Sequence, residues 1–330
     1  MSVKRVLVIG SNGLLGQKVA EILVRGSVYT ITLASQEEKP IRPLMSAEYI
    51  PLDITVKKDV KRVVFATEPD VIVNCAAITD VDACESKREL AWKINVSGVE
   101  NIIEAARKDN AKLVHISSDY VFDGKSGPYS EDDRPEPLSY YGKSKLASEN
   151  ALRASGIDYF IARTMVLYGF APGVKSNFAL WLINNLEKAH AVRVVDDQYG
   201  NPTLVDDLAF GIASAIELGR TGIYHIAGRD IVNRYEFALQ LARVFEFDPA
   251  LITPIKTAQL RQPAPRPLKS GLLTLKAEVE LGYKPSSVAQ GLSILKGQLT
   301  KTMKHIGDSA PVPGGSSGRQ GPAAGRKGKR

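Results

Sequence analysis

A short apolar run at residues 5–9 leads directly into Gly10-Ser11-Asn12-Gly13-Leu14-Leu15-Gly16, and helical apolar spacing follows over 14–24. A glycine-rich turn between a buried strand and a helix restricts the fold more than any other feature of this chain. The helix start offers unpaired N–H groups and a partial positive charge, which stabilise an anionic pyrophosphate where no side chain blocks the backbone. Gly10, Gly13 and Gly16 remove that obstruction, so the run predicts a dinucleotide site.

The alternation continues downstream. Residues 29–33, 71–76, 112–116, 159–164 and 222–226 read as strands, and Leu90, Ile94, Ile102 and Ile103 mark a long amphipathic helix before the strand at 112. Strands separated by helices imply parallel pairing, hence an α/β fold with a doubly wound (Rossmann) sheet. After Gly169 the pattern changes: helices at 177–189 and 235–245 are separated by proline-containing loops such as Gln262-Pro263-Ala264-Pro265-Arg266-Pro267. A smaller, less regular C-terminal α/β region is expected there.

At 330 residues the chain can bury a large core. No stretch approaches the roughly 18 apolar residues of a membrane span, and Met-Ser-Val-Lys-Arg runs straight into a strand. A cytoplasmic protein with no membrane partner is expected. Cys75 and Cys84 are too few for a disulfide framework and read as reduced structural thiols. From Gly307 onward, Arg319, Arg326, Lys327, Lys329 and Arg330 oppose Asp308 alone, so this tail carries +4 of the chain's net +7. Its Gly, Pro and Ser content cannot bury enough surface to order it, and a solvated tail rather than a nucleic-acid arm is the reading.

Two further features bear on chemistry. Tyr141-Gly142-Lys143-Ser144-Lys145 spaces Tyr141 and Lys145 four apart, which on a helix points both side chains the same way. A neighbouring ammonium stabilises a phenolate and lowers its pKa from about 10, making acid–base catalysis feasible. Ser117-Ser118 ends a strand, where ligands of doubly wound sheets bind. Asp80, Asp82 and Glu85 read as loop and helix-start carboxylates rather than metal ligands.

These residues, with Asn74-Cys75-Ala76-Ala77-Ile78-Thr79-Asp80-Val81-Asp82-Ala83-Cys84-Glu85, His115-Ile116-Ser117-Ser118-Asp119-Tyr120-Val121-Phe122-Asp123-Gly124, Glu149, and Asp197-Gln198-Tyr199-Gly200-Asn201-Pro202-Thr203, resemble the extended short-chain dehydrogenase/reductases. Within that group the chain is similar to the dTDP-4-dehydrorhamnose reductase family over about residues 4 to 300. The resemblance implies a reductase in which NADPH or NADH delivers hydride to a 4-keto group of a nucleotide-linked deoxysugar. Ser118 would orient the carbonyl, Tyr141 would donate the proton, and Lys145 would bond the nicotinamide ribose and tune Tyr141. The run Gly10 to Gly16 would hold the pyrophosphate, Asp53 and Ile54 would lie near the adenine, and Ala76 and Ala77 would line the cofactor channel. Tyr120, Val166, Asn177 and Gln198 stand at positions that face the sugar nucleotide. Residues 1–170 and about 200–230 would form the NAD(P)-binding domain, 171–199 and 231–304 the substrate-binding region, and 305–330 a disordered basic tail.

Two departures bear on specificity. Rhamnose-forming members carry a tryptophan where Val166 stands, and Ala34-Ser35-Gln36 offers neither the acid that bonds a ribose 2'-hydroxyl nor an arginine for a 2'-phosphate. Without that acid a repulsion against NADPH is removed. Dehydratases of the superfamily place Thr-Asp-Glu where this chain has Ser118-Asp119-Tyr120, so the missing glutamate favours simple reduction over elimination. Asp119 has both a turn-capping and a substrate reading. Two alternatives stay open: a non-catalytic nucleotide-binding subunit resembling that of methionine adenosyltransferase, and a sugar-nucleotide epimerase. Nothing in the chain calls for Mg2+, and a homodimer is compatible with it.

Overall fold

The computed structural model describes residues 3–26, 28–174 and 177–308, with side chains through 302. Its centre is a seven-stranded sheet: β1 (Lys4–Ile9), β2 (Tyr29–Ser35), β3 (Ala47–Pro51), β4 (Val71–Asn74), β5 (Lys112–Ser118), β6 (Tyr159–Thr164) and β7 (Gly222–His225). The strands lie in the order β7-β6-β5-β4-β1-β2-β3, and every pair is parallel. The chain moves outward from β1 in both directions, so a topological switch point falls between β1 and β4. The crevice for a ligand opens beyond their carboxyl ends.

Both faces are buried. On β1 the period-two alternation sends Val6 and Val8 to one face, against Leu15, Val19 and Leu23 of the helix Leu14–Arg25 and Leu208 and Ile212 of the helix Val205–Glu217. Leu7 and Ile9 meet Val60 and Val63 of the helix Lys57–Thr67 and Ile102 of the helix Gly98–Asp109 on the other. A separate core gathers Leu182 and Leu186 of the helix Phe178–Leu186, Phe237 and Leu241 of the helix Arg234–Phe245, and Leu292 and Leu295 of the helix Val288–Asp308. The parallel pair Val192–Val195 and Ile252–Ile255 borders it. Part of this second core, including Leu182, Leu186, Val192 and Val194, comes from the chain between β6 and β7, and the rest follows β7.

The doubly wound sheet agrees with the sequence reading, with differences at its edges. The strand Ala47–Pro51 and the helix Lys57–Thr67 were not foreseen, because one is only partly buried and the other is half Lys, Arg, Asp and Thr. The strand expected over 71–76 ends at Asn74, whose Oδ1 accepts the Ala76 N–H at 3.1 Å and turns the chain. The long helix through Leu90 and Ile94 carries a π-turn at Lys93–Ser97, where the Asn95 side chain bonds both the N–H and the carbonyl of Ile78. The last helix extends to Asp308, past the expected start of the tail at 305; residues 309–330 lie outside the described residues. Among the described residues no helix is long and apolar enough to cross a membrane.

Candidate active site

The glycine loop divides its labour. A Cβ on Gly10, which has φ +76°, would meet the Ala76 nitrogen at 2.6 Å, and one on Gly16 would run into the Gly10 carbonyl and the Ser11 Cα, at 2.7 Å from the latter. These two glycines serve the protein's own packing. A Cβ on Gly13 meets only the Gly10 oxygen, at 3.2 Å, so its outer side is open. The N–H groups of Gly10 and Ser11 donate to the Ala34 carbonyl, that of Asn12 to Ser35 Oγ, and that of Gly13 to the Gly10 carbonyl. Among the described residues, the backbone donors of the first turn, Leu14 to Gly16, have no backbone partner, and the buried Ser11 hydroxyl has no partner either. Unpaired donors around an open glycine fit an anionic group.

The remaining residues of the expected cofactor site are partly spoken for. The Asn12 side chain turns away from the crevice: Nδ2 donates to Glu37 and the Lys39 carbonyl, and Oδ1 accepts the Ile41 N–H. Leu15 and Ile54 are core residues, so only their backbones can face a ligand. Asp53 is exposed, with its carboxylate accepting the Thr55 N–H at 2.8 Å. Ala76 and Ala77 are half-buried just past β4, beside Gly10.

Ser118 ends β5 and Tyr141 opens the helix Tyr140–Arg153. Ser139 caps that helix through the Gly142 N–H at 3.1 Å, and the Glu85 carboxylate accepts the Tyr140 N–H at 2.6 Å. A side chain on Gly142 would collide with the Tyr120 carbonyl, so glycine there lets the helix close onto the turn Asp119–Val121. The result is proximity: Ser118 comes near enough to the Tyr141 phenol to act on its titration, and the Tyr120 and Tyr141 rings meet edge to face at 5.5 Å. Lys145 lies one turn behind, buried, as the four-residue spacing predicts. Burial pushes the Tyr141 phenol up, with the Asp119 charge adding to it. That outweighs the lowering expected from Lys145 and keeps the phenol protonated at neutral pH, the state a proton donor needs.

Asp119 is buried, and its carboxylate accepts from Ser118 Oγ (3.0 Å) and from Ser270 Oγ (2.8 Å). It thereby ties the end of β5 to the loop of the second region. Burial raises its pKa to about 6, against the opposing serine hydrogen bonds and Arg234. A carboxyl with a folded pKa above its unfolded value stabilises the fold most at low pH, and that contribution is lost as pH rises through the folded value. Asp119→Asn is therefore expected to stabilise the protein by on the order of 1 to 3 kcal/mol at about pH 8 and to change little at about pH 4. Thermal melts showing the same shift at both pH values would rule this out.

Tyr120, Val166 and Gln198 meet in one recess with Asp119, Met165, Tyr199, Arg234 and Ser270. Asn177 does not line it: it caps the helix Phe178–Leu186 through the Leu180 N–H and donates to the Gly169 carbonyl at 2.8 Å. Val166 has φ +46°, a left-handed conformation that strains a β-branched residue, and its carbonyl accepts the Thr203 N–H. Arg234 escaped the sequence reading. It opens a helix capped by Asn233 and Glu236, has no hydrogen bond or ion pair to another described residue, and lies 5.3 Å over the Phe178 ring. A cation in a first helical turn opposes the helix dipole, which was the available signal. Asp82 pairs with Arg266 at 2.8 Å, Asp80 caps the helix Val81–Ser86, and Glu85 pairs with Arg88. Among the described residues no cluster of three or more His, Cys, Asp or Glu gathers as a metal site would.

A parallel seven-stranded sheet with a phosphate-ready glycine turn and a Ser, Tyr and Lys set at one strand end defines an extended short-chain dehydrogenase/reductase. The model of the RmlD substrate binding domain matches residues 4–299. The dTDP-4-dehydrorhamnose reductase of Aggregatibacter actinomycetemcomitans is 34% identical over 305 residues, covering 88% of this chain and 98% of that protein. The probable low-salt glycan biosynthesis reductase Agl14 of Haloferax volcanii is 32% identical over 293 residues, covering 88% and 96%. The crystal structure of dTDP-4-dehydrorhamnose reductase from Bacillus anthracis in complex with NADP superposes with a TM-score of 0.81 at 32% identity, covering 90% of this chain and all of that one. The chain belongs to the RmlD substrate-binding domain family.

Proposed function

We propose that this chain is an NAD(P)H-dependent reductase of a nucleotide-linked 4-keto-deoxysugar, dTDP-4-dehydrorhamnose or a close relative. The observation that carries the reading is that the helix Tyr140–Arg153 brings buried Tyr141 and, one turn on, buried Lys145 beside Ser118 at the carboxyl end of β5. When bound, the nicotinamide cofactor supplies the hydride. The first-turn N–H groups of Leu14 to Gly16 and the Ser11 hydroxyl hold its pyrophosphate, Asp53 and Ile54 border the adenine, Ala76 and Ala77 line the channel, and Lys145 bonds the ribose. NADPH is the form this reading favours, because Ser35 and Gln36 at the end of β2 carry no carboxylate and the next one, Glu37, is taken up by the Asn12 amide.

Ser118 orients the ketone and favours negative charge on its oxygen as that charge appears; Tyr141 delivers the proton. The recess of Tyr120, Val166 and Gln198 receives the sugar, with Arg234 facing the diphosphate. The substrate-binding region is 171–199 with 231–304, and the rest of the fold carries the cofactor.

A steady-state assay of NADPH and NADH oxidation against dTDP- and UDP-linked 4-keto-sugars tests this. Reduction of at least one dTDP-sugar is expected. Tight cofactor binding with no sugar reduced would replace the reductase with a nucleotide-binding regulatory protein.

A further inference from the structure

Among the described residues, three buried hydroxyls have no hydrogen-bond partner: those of Ser11, Ser117 and Thr164. All three stand at the carboxyl end of the central sheet, Ser11 two residues past β1, Ser117 next to last in β5 and Thr164 last in β6. A buried hydroxyl left unpaired is destabilising, and an apolar side chain of the same shape would pack in its place without that loss. Their concentration on one edge of one sheet calls for partners from outside the chain.

Strand alternation separates them by face. Thr164 follows Phe160 and Ala162 at intervals of two, and those pack in the core that holds Leu15 of the glycine-turn helix. Ser117 follows Leu113, which packs in the core on the opposite face. Thr164 thus shares its face with the glycine turn, and in register it is the neighbour of Ser118. The Ser118 hydroxyl donates to Asp119 Oδ1 at 3.0 Å and accepts the Tyr120 N–H at 3.2 Å, whereas the Thr164 hydroxyl does neither. Directly after Thr164 come Met165 and Val166, which line the recess. Thr164 therefore stands where the crevice beyond the strands joins the recess.

The strand order gives the span. Between β1 and β6 lie β4 and β5, so the glycine turn and Thr164 are three strand spacings apart, about 14 Å. β2 and β3 extend the sheet on the other side of β1, where the adenine half belongs in a doubly wound fold. A dinucleotide held by its pyrophosphate at the turn carries its other half over β4 and β5 toward β6. The ring at that end is the nicotinamide. Its one hydrogen-bonding substituent is a carboxamide, which offers both donors and an acceptor to a hydroxyl that can serve either way.

We propose that the Thr164 hydroxyl is a cofactor contact that takes the nicotinamide carboxamide and, by holding it on the β6 side, fixes which face of the ring is turned to the ketone beside Ser118. The inference rests on the cofactor half of the reductase reading and extends it to a residue outside the Ser118, Tyr141 and Lys145 set.

Binding, rather than turnover, tests it. Thr164→Val keeps the shape and deletes the oxygen, while Thr164→Ser keeps the oxygen and deletes the methyl. Parent and variants are titrated with NADPH and with 2'-phospho-ADP-ribose, which has the same adenine half and pyrophosphate but no nicotinamide, and the unliganded proteins are melted. NADH and ADP-ribose serve as the pair if the parent binds NADH more tightly. In Thr164→Val the affinity for NADPH is expected to fall about five- to fiftyfold, while that for 2'-phospho-ADP-ribose stays within about twofold and the melting temperature does not fall. Thr164→Ser should bind NADPH within about threefold of the parent. Equal losses for the two ligands, or no loss for NADPH, would overturn the proposal; Thr164→Ala carries the same comparison if the valine variant does not fold. A parent that shows the ring-dependent loss in Thr164→Val yet reduces no 4-keto-sugar would end the reductase reading and leave the Thr164 contact standing. A parent that binds neither ligand would overturn both.

Discussion

Tyr141→Phe is expected to slow turnover by about a hundred- to ten-thousand-fold, or roughly 3 to 5 kcal/mol of barrier, with cofactor affinity nearly unchanged. The substitution removes one oxygen. The ring keeps its edge contact with Tyr120 and its place under Cys84 and Ala91, and Lys145 remains available to the ribose. What disappears is the proton source beside Ser118. Single-turnover kinetics with the best 4-keto-sugar, paired with a fluorescence titration of the cofactor, separates the two quantities. Parent-rate reduction by the variant would remove Tyr141 from the role of acid.

The second large effect distinguishes two glycines that lie about one helical turn apart but serve different purposes. Gly13→Val should leave the melting temperature nearly intact, since Gly13 has an ordinary φ of −74° and open space outside it. It should weaken dinucleotide binding at least about a hundredfold, because the side chain fills the position of the phosphate and the charge-assisted bonds there are worth roughly 1.5 to 3 kcal/mol each. Gly16→Ala should do the reverse in order of cause: its methyl meets the Gly10 carbonyl and Ser11 Cα, so the fold loses on the order of 1 to 3 kcal/mol or more and binding falls only as a result. Equal melting temperatures for the two variants would show that the loop is not packed as described.

Much of this was open to reading in the chain itself. The strand, glycine turn and helix at the start, and the Tyr141 to Lys145 spacing, are local patterns whose geometry follows from backbone periodicity, and the sheet built on them is the one expected. The meeting of Ser118 with Tyr141 depends on Gly142 clearing the Tyr120 carbonyl, a contact between separate segments that no local pattern announces. Arg234 and Ser270 reach the recess from the far end of the chain for the same reason. Asn12 and Asn177 show the converse limit: both sit where a ligand contact was expected, and both spend their side chains on neighbouring backbone. A sequence identifies donors and acceptors but not which of them the protein has already used.

The placement of the second core has a consequence for how the molecule is made. Among the described residues β7 pairs only with β6, and the chain between them contributes part of the other hydrophobic core before returning to complete the sheet edge. Closing so long an intervening stretch costs entropy before any strand pairing repays it, and parallel pairing of this kind is slow. The sheet strand nearest the C-terminus is therefore expected to dock last, leaving the edge of β6, where Arg163 and Thr164 lie, unpaired until it does. A nascent or truncated chain lacking β7 would present that edge to other molecules, which makes the completeness of the insertion a condition of solubility as well as of substrate choice.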